Sequence, residues 1–262
     1  QQDQVFLSRV DLPEPGHGLA SLRDTRDQMH ARTERHAAQA AIEDPAGYVN
    51  VNITGTQNIH AFMQARSVRK LIFASSSSVY GNNKKTPFSE ADNVDNPISP
   101  YAFTKKAGEL MNYTFHHLYD IDIINLRFFT VYGPGQRPDL AIHQFVKKIS
   151  NDQPLVLFGD GQTARDYTYI DDTVSGIFNA LEYCLHNSGV YTTVNLGNNH
   201  PVKLHELVDI IYAAMGKEKN LVYESMQPGD VDITFADISK AAALFNYKPA
   251  IGITEGIGKF IE

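Results

Sequence analysis

The chain has 262 residues, 42% hydrophobic and 20% charged, which suffices for a sizeable core in one domain or two closely joined domains. Thirty acidic residues against 23 lysines and arginines give a net charge of −7, which argues against a nucleic-acid or membrane-surface binder. Cys184 is the single cysteine, the ten histidines are scattered, and no apolar run approaches the roughly 20 residues of a membrane span, so we expect no disulfide, metal site or membrane partner and a cytoplasmic location.

The first part of the chain carries few regular patterns. Val5–Val10 has the composition of a strand, and the prolines and glycines at positions 13–18 break whatever follows it. Charges of both signs are interleaved over residues 20–36, which is typical of a solvated helix or loop and does not indicate a site.

A helix is predicted over residues 45–66, because apolar side chains recur there on one side. Residues 71–74 then form a short buried strand that runs directly into the four serines at 75–78. A polar loop follows up to residue 100, and its three prolines exclude a regular helix.

The next helix is predicted over residues 101–119 and begins with Tyr101 and Lys105, four residues apart. On a helix these two side chains share one face about one turn apart. An ammonium beside a phenol favours the phenolate, which makes the tyrosine usable as a general base. An ordinary amphipathic helix is the alternative, since the same spacing arises by chance in many proteins.

Strands and helices alternate in the remaining sequence. Strands are predicted at 121–127, 155–158 and 194–197, and helices at 141–150, 172–185 and 204–215. This alternation predicts an α/β protein with a parallel sheet and helices on both faces. Active groups of such sheets gather beyond the carboxyl ends of the strands, where we expect Ser76, Thr130 and the start of the Tyr101 helix.

A serine-rich strand end followed by Tyr101-x-x-x-Lys105 resembles the active site of the extended short-chain dehydrogenase/reductases. Within that family the chain is most similar to the NAD-dependent nucleotide-sugar epimerases, and above all to UDP-glucuronate 4-epimerases. The resemblance runs from about Ala37 to the C-terminus. It is most specific in the Gly/Pro-rich loop of residues 128–139 and continues over residues 165–172.

The resemblance implies a Rossmann-like doubly wound parallel sheet, here with an incomplete N-terminal part, and a smaller C-terminal α/β substrate domain. Residues 1–130 and 167–197 would form the NAD-binding domain, and residues 131–166 and 198–262 the substrate domain. It also implies a homodimer that packs the helices at 52–66 and 101–119 against their counterparts.

The catalytic roles are implied by the same resemblance. Tyr101 as phenolate would take the proton from the sugar O4 while a hydride passes from C4 to NAD. Lys105 would lower the Tyr101 pKa and hold the nicotinamide ribose, and Ser76 with Ser77 would hydrogen-bond O4. The cofactor contacts implied are Asn52, Ser75, Tyr101, Lys105, Phe128 and Val131. For Asn52, a polar residue on an exposed helix face is an equal alternative.

Most binding energy should come from the UDP group, because the oxidised sugar must turn over in the site. Arg165 is the candidate for the diphosphate, with a surface ion pair as the alternative. Phe158 resembles the residue that lies near the uracil, and a place in the hydrophobic core is an equal alternative. Asp230 resembles the residue that accepts the ribose hydroxyls, and Gln227 replaces an arginine that related epimerases often carry.

Arg137 and Thr130 indicate which sugar the substrate carries. Their places in the loop resemble those that face the C5 carboxylate in the glucuronate epimerases, so UDP-glucuronate is the expected substrate. A solvated loop arginine is the alternative for Arg137. The serine run has no acidic residue for further proton transfers, so epimerisation is favoured over dehydration or decarboxylation.

The Gly-rich loop that binds the dinucleotide pyrophosphate is not found, since Gly16-His17-Gly18 lacks the required spacing. The loop after Ala37-Ala38-Gln39-Ala40 is also shorter than the family usually has. We therefore expect weak NAD binding unless further polypeptide precedes the sequence. The alternatives to a glucuronate epimerase are a 4-epimerase of a neutral UDP-hexose or UDP-N-acetylhexosamine and a non-catalytic nucleotide-sugar-binding remnant.

Overall fold

The computed structural model describes residues 6–7, 41–225 and 233–262. The strands are β1 (Phe6–Leu7), β2 (Lys70–Ser76), β3 (Asp122–Phe128), β4 (Thr130–Tyr132), β5 (Leu155–Phe158), β6 (Ala164–Tyr169), β7 (Tyr191–Leu196), β8 (Pro201–Lys203), β9 (Leu221–Glu224) and β10 (Ile233–Thr234). The helices are α1 (Pro45–Val49), α2 (Gly55–Ala65), α3 (Pro100–Tyr119), α4 (Ala141–Ser150), α5 (Ile170–His186), α6 (Leu204–Met215), α7 (Ser239–Phe245) and α8 (Ile253–Ile261). The expectations for residues 8–40, Gln227 and Asp230 lie outside the described residues.

The first sheet is parallel and has the strand order β1-β2-β3-β7. Its register pairs Ser76 with Phe128 and Phe128 with Leu196, so the carboxyl ends of β2, β3 and β7 meet at one edge. The predicted parallel sheet is therefore present, and it collects the strand ends that the sequence analysis assigned to the site.

Helices cover both faces of this sheet. Successive strand residues point to opposite faces: Leu71 and Phe73 pack with Met63 beneath α2 and α3. Ile72 instead joins Ala180 on α5 and the residues of α7. The prediction of a doubly wound α/β sheet is confirmed, because its strands are buried on both sides.

The second group of strands lies around β6. Strands β10 and β4 flank β6 in parallel, β8 pairs with it antiparallel, and β5 pairs with β9. Helices α4, α6 and α8 cover these strands, with Ile149, Val208 and Ile257 in one apolar cluster. Strand β6 was not predicted from the sequence. The assignment of residues to an NAD-binding and a substrate domain stays a prediction.

Helix α3 places Tyr101 in its first turn. Pro100 occupies the start of the helix, and the Ser99 side chain accepts a hydrogen bond from the Ala102 N–H at 3.1 Å, so the N-terminus is well capped. Asp120 ends the helix in the left-handed conformation. Neither α3, with its 20 residues, nor any other helix of the described segments combines the length and the apolar character needed to cross a bilayer.

Gly108 lets α3 approach β2 closely. A Cβ atom at this position would lie 2.4 Å from Cζ of Phe73, a buried ring of the sheet. The distance between the helix and the serine strand end therefore depends on a residue without a side chain.

We expect Gly108→Ala to lower the free energy of unfolding by about 1–3 kcal/mol, because a methyl group overpacks the contact with Phe73. Urea denaturation measures the change. Gly258→Ala is the matched control: a Cβ atom at this helical glycine would meet no atom within 4 Å, so alanine there should leave stability unchanged or raise it by about 0.5–1 kcal/mol. Equal stability of Gly108→Ala and wild type would contradict the packing argument.

Candidate active site

Ser76 closes β2 at the carboxyl edge of the first sheet and caps the 3-10 turn that follows (Ser77–Tyr80). Its Oγ accepts hydrogen bonds from the Ser78 N–H at 3.2 Å and from the Ser78 hydroxyl at 2.9 Å. These bonds hold the Ser76 hydroxyl at the strand end, as the topology predicted.

Tyr101 reaches this strand end from α3. Its phenol lies near enough to Ser76 for that hydroxyl to lower the pKa of Tyr101, which brings together two residues 25 positions apart in the sequence. Burial raises the pKa of Tyr101, while the hydrogen bond with Ser76 and the positive charge of Arg137 lower it in part. The arrangement can pass a proton between the two hydroxyls.

Lys105 lies one turn further along α3. Its Nζ donates to the Ala74 carbonyl oxygen at 2.9 Å and lies 5.7 Å from the centroid of the Tyr101 ring. Burial lowers the pKa of Lys105. The sequence analysis expected Lys105 to lower the Tyr101 pKa. In the structure its ammonium bonds the Ala74 carbonyl and lies over the Tyr101 ring, and its effect on the phenol stays a prediction.

Asn52 lies in a π-helical turn (Asn50–Thr54) between α1 and α2, a distortion that is frequent at functional sites. Its Nδ2 donates to Thr104 Oγ1 at 2.9 Å, and that hydroxyl donates to the Tyr101 carbonyl at 2.8 Å. Asn52 is half-buried and faces α3, so the alternative of an exposed polar residue is wrong.

Arg137 lies in the loop after β4 and pairs with Asp139 at 2.9 Å, with its side chain 51% exposed. Its charge acts on the Tyr101 phenol across the site. Thr130, at the start of β4, is exposed. A guanidinium whose charge reaches the Tyr101 phenol can attract an anionic group at this edge.

The other predicted residues divide between the two groups of strands. Ser75 is buried, and its hydroxyl donates to a carboxylate inside the protein, whereas Ser77, Phe128 and Val131 are half-buried near the same edge. Arg165 on β6 and Phe158 on β5 are half-buried in the second group. The roles of these residues stay predictions.

Two residues were missed, one beside Tyr101 and one buried in β6. Tyr48 packs edge-on against Tyr101, with ring centroids 6.2 Å apart. The four-residue spacing from Tyr48 to Asn52 is the signal that would have indicated it. Asp166 is fully buried next to Arg165 and accepts hydrogen bonds from the N–H groups of Asn198, Asn199 and Ala236. Such a residue cannot be told from a surface aspartate by its sequence.

A doubly wound parallel sheet with serine, tyrosine and lysine beyond its carboxyl edge defines a Rossmann-like enzyme of the short-chain dehydrogenase/reductase type. No cluster of three or more histidine, cysteine, aspartate or glutamate side chains suited to a metal ion occurs in the described part of the chain.

Comparison with known proteins agrees with this class. Residues 23–197 match the profile of the NAD dependent epimerase/dehydratase family. UDP-glucuronate 4-epimerase of Thermodesulfobacterium geofontis is 43% identical over 229 residues, which cover 87% of this chain and 69% of the relative. The chain belongs to the NAD dependent epimerase/dehydratase family.

Solved structures give the same result. The complex of Bacillus cereus UDP-glucuronic acid 4-epimerase with UDP-glucuronic acid and NAD superposes with a TM-score of 0.76 at 36% identity, covering 81% of this chain and 67% of that one. UDP-N-acetylglucosamine 4-epimerase from Methanobrevibacter ruminantium, in complex with UDP-N-acetylmuramic acid, gives a TM-score of 0.80 at 27% identity, covering 87% and 73%.

We expect Arg137→Met to raise the pKa of Tyr101, because the guanidinium charge favours the phenolate. The measurement is an absorbance titration of phenolate, with the Tyr101→Phe curve subtracted to isolate Tyr101. Arg165→Met is the matched control, since it removes the same charge near Tyr167 and should leave the Tyr101 titration unchanged. An identical Tyr101 titration in Arg137→Met and wild type would refute the interaction.

Proposed function

We propose that the chain catalyses the reversible C4 epimerisation of a UDP-sugar with NAD as cofactor, and that UDP-glucuronate and UDP-galacturonate are the two sugars. The observation that carries the proposal is that Ser76 at the end of β2, with Tyr101 and Lys105 at the start of α3, meet at the carboxyl edge of the sheet, where Lys105 Nζ bonds the Ala74 carbonyl. Membership of the family and the glucuronate epimerases among its relatives support the choice of reaction.

The reaction explains why a tyrosine and a serine are needed together. The C4 hydrogen of the sugar is not acidic, so its direct removal as a proton is very costly, and brief oxidation of the C4 alcohol avoids that step. NAD, when bound, would supply the hydride acceptor for this oxidation and the hydride donor for its reversal.

The chain handles the proton of the alcohol. Tyr101 accepts the O4 proton as a general base and returns it after the sugar has turned over. Ser76 holds O4 beside the phenol, because it closes β2 at the edge that α3 reaches with Tyr101. Arg137 favours the phenolate form that starts the reaction.

The nicotinamide end of the cofactor fits this edge. Among the described residues, Lys105 Nζ makes one hydrogen bond, to Ala74, so two of its three N–H groups can bind the hydroxyls of a ribose. Asn52, Phe128 and Val131 are the further candidates on that side. Ser75 can contribute its main chain, since its hydroxyl is engaged inside the protein.

An acidic sugar is favoured by Arg137. A charge-assisted hydrogen bond from this guanidinium to a C5 carboxylate is worth roughly 1.5–3 kcal/mol, enough to prefer a glucuronate over a neutral hexose. Thr130 and Ser77 complete the contacts proposed for the sugar. For the UDP group we propose Arg165 at the diphosphate and Phe158 at the uracil, with Gln227 and Asp230 as further contacts. A cytoplasmic location is proposed from the composition.

A neutral or N-acetylated UDP-hexose is the second candidate, supported by the structural similarity to UDP-N-acetylglucosamine 4-epimerase. A non-catalytic nucleotide-sugar-binding protein is less well supported, because Ser76, Tyr101 and Lys105 keep a geometry suited to proton transfer.

We expect Tyr101→Phe to lower turnover of UDP-glucuronate by about 10²–10⁴-fold, the usual contribution of a general base. The assay incubates the chain with and without added NAD and separates UDP-galacturonate by anion exchange. Tyr183→Phe is the matched control, because Tyr183 lies on α5, on the other face of the sheet from α3, and should retain wild-type turnover.

Three results of this assay separate the candidates. Faster conversion of UDP-glucose or UDP-N-acetylglucosamine than of UDP-glucuronate would favour a neutral sugar. Binding of UDP-sugar without turnover of any sugar would favour the non-catalytic alternative. Full activity of Tyr101→Phe would contradict the proposed role of the phenol.

We propose that the chain forms a homodimer through α2 and α3. An apolar surface lies along α3, with Leu110, Tyr113 and Leu118 each more than half exposed, and α2 adds Phe62 beside it. Exposed apolar side chains grouped on adjacent helices are typical of an interface between subunits.

We expect Leu110→Asp to convert the dimer into a monomer, because burying an unpaired carboxylate at the interface is costly. Analytical ultracentrifugation measures the mass. Phe178→Asp is the matched control, since Phe178 is equally exposed but lies on α5, across the sheet. A monomeric wild type, or a Leu110→Asp variant that stays dimeric, would exclude this interface.

A further inference from the structure

A buried ion pair lies beneath the candidate active site. Glu109 follows Lys105 by four residues on α3 and is 4% exposed. Its Oε1 accepts a hydrogen bond from Arg127 Nε at 2.9 Å, and its Oε2 accepts one from Arg127 Nη2 at 2.8 Å. The guanidinium therefore binds both carboxylate oxygens, which fixes the orientation of the two side chains as well as the distance between them.

The same carboxylate reaches the serine strand end. The Ser75 hydroxyl donates to Glu109 Oε1 at 2.6 Å, and Ser75 is the neighbour of Ser76. The end of β2 and helix α3 are thus joined twice, by Ser75 to Glu109 and by the Lys105 ammonium to the Ala74 carbonyl. Two bonds between the same strand and helix restrain both the separation of the elements and their rotation.

Arg127 extends the restraint across the sheet. Its Nη1 donates to the Tyr80 hydroxyl at 3.0 Å, and that hydroxyl donates to Asn195 Oδ1 at 2.7 Å. The bonds therefore connect the helix of Tyr101 with β3, the turn after Ser76 and β7. Each member is buried and has partners, as a buried polar network requires.

Stability alone is a poor explanation for this ion pair. Removing two charges from water is costly, and apolar side chains of similar size often stabilise a core as well or better. An apolar contact would, however, let α3 slide along β2. A bidentate ion pair has one geometry and therefore fixes the position of the helix.

We infer that Glu109, held by Arg127, is a positioning residue for the proposed reaction: through Ser75 it sets the distance between the Tyr101 phenol and the Ser76 hydroxyl. Glu109 touches neither substrate nor cofactor in this assignment. The inference rests on the proposed function for its effect on turnover, and on the geometry alone for its effect on the two hydroxyls.

The test uses Glu109→Met/Arg127→Met, which replaces both charges by long apolar side chains and leaves no unpaired charge in the core. We expect a folded protein whose kcat falls about 100-fold, since displacement of a catalytic group by about 1 Å has that effect. The KM for the UDP-sugar should change less than about 3-fold, because the contacts proposed for UDP lie elsewhere.

A second measurement does not depend on turnover. The hydrogen bond with Ser76 lowers the Tyr101 pKa, so its loss in the double variant should move the phenolate titration of Tyr101 to higher pH. A purely structural role would leave this titration in place. If the wild type has no epimerase activity, the proposed function fails while the titration still tests the positioning.

The matched control is Lys70→Gln/Asp122→Asn. This pair joins β2 and β3 at their opposite end, 2.9 Å apart and nearly buried, and should leave both kcat and the Tyr101 titration unchanged. Ser75→Ala serves if the double variant does not fold: it breaks only the bond to Glu109 and should move both quantities in the same direction by less. Wild-type kcat and titration in a folded double variant, or in Ser75→Ala if the double variant is unfolded, would overturn the inference.

Discussion

The contact between α3 and the end of β2 is the constraint on which the site depends. The helix carries Tyr101, Lys105 and Glu109, and the strand ends in the serine run. Lys105 donates to the Ala74 carbonyl, and Ser75 donates to Glu109. Gly108 permits the close approach that these bonds need. Apolar packing supplies the attraction between the two elements, but polar contacts decide their register, because apolar contacts have little directional preference.

The pKa of Tyr101 is set by two opposing effects at this contact. Burial opposes the ionisation of Tyr101, and the nearby hydroxyl and guanidinium oppose that effect of burial. Arg137 lies on an exposed loop, so its effect on the Tyr101 pKa changes readily with the surroundings. Ser76 is held by its own turn, so its effect on that pKa does not. A substrate anion that pairs with Arg137 would therefore also alter the balance at the phenol.

Much of the fold could be predicted because its signals are local. The Pro100 start of α3 and the apolar run of β2 each lie within a short window, and both elements were predicted within three residues of their observed ends. Strand β6 was missed because its buried residues include Asp166, whose partners come from segments more than 30 residues away. No local pattern shows that a carboxylate will be surrounded by main-chain N–H groups.

The candidate site was predicted to a similar extent. The meeting of Ser76 and Tyr101 follows from the parallel topology, which places strand ends at one edge. The direction of the Lys105 ammonium could not be predicted, because it depends on whether the nearest acceptor is the phenol or the Ala74 carbonyl. Glu109 was overlooked for the same reason: a glutamate on a helix is usually solvated, and only the tertiary structure supplies Arg127.

The bond from Asn52 to Thr104 has a consequence for motion. Thr104 Oγ1 accepts a hydrogen bond from the Asn52 amide and donates one to the Tyr101 carbonyl. One hydroxyl therefore joins the first turn of α3 to the π-helical turn. Twisting that turn about the helix axis must break at least one of these bonds. The main chain that carries Tyr101 is thus fixed, and the phenol moves by rotation about its own side-chain torsions and not by fraying of the helix.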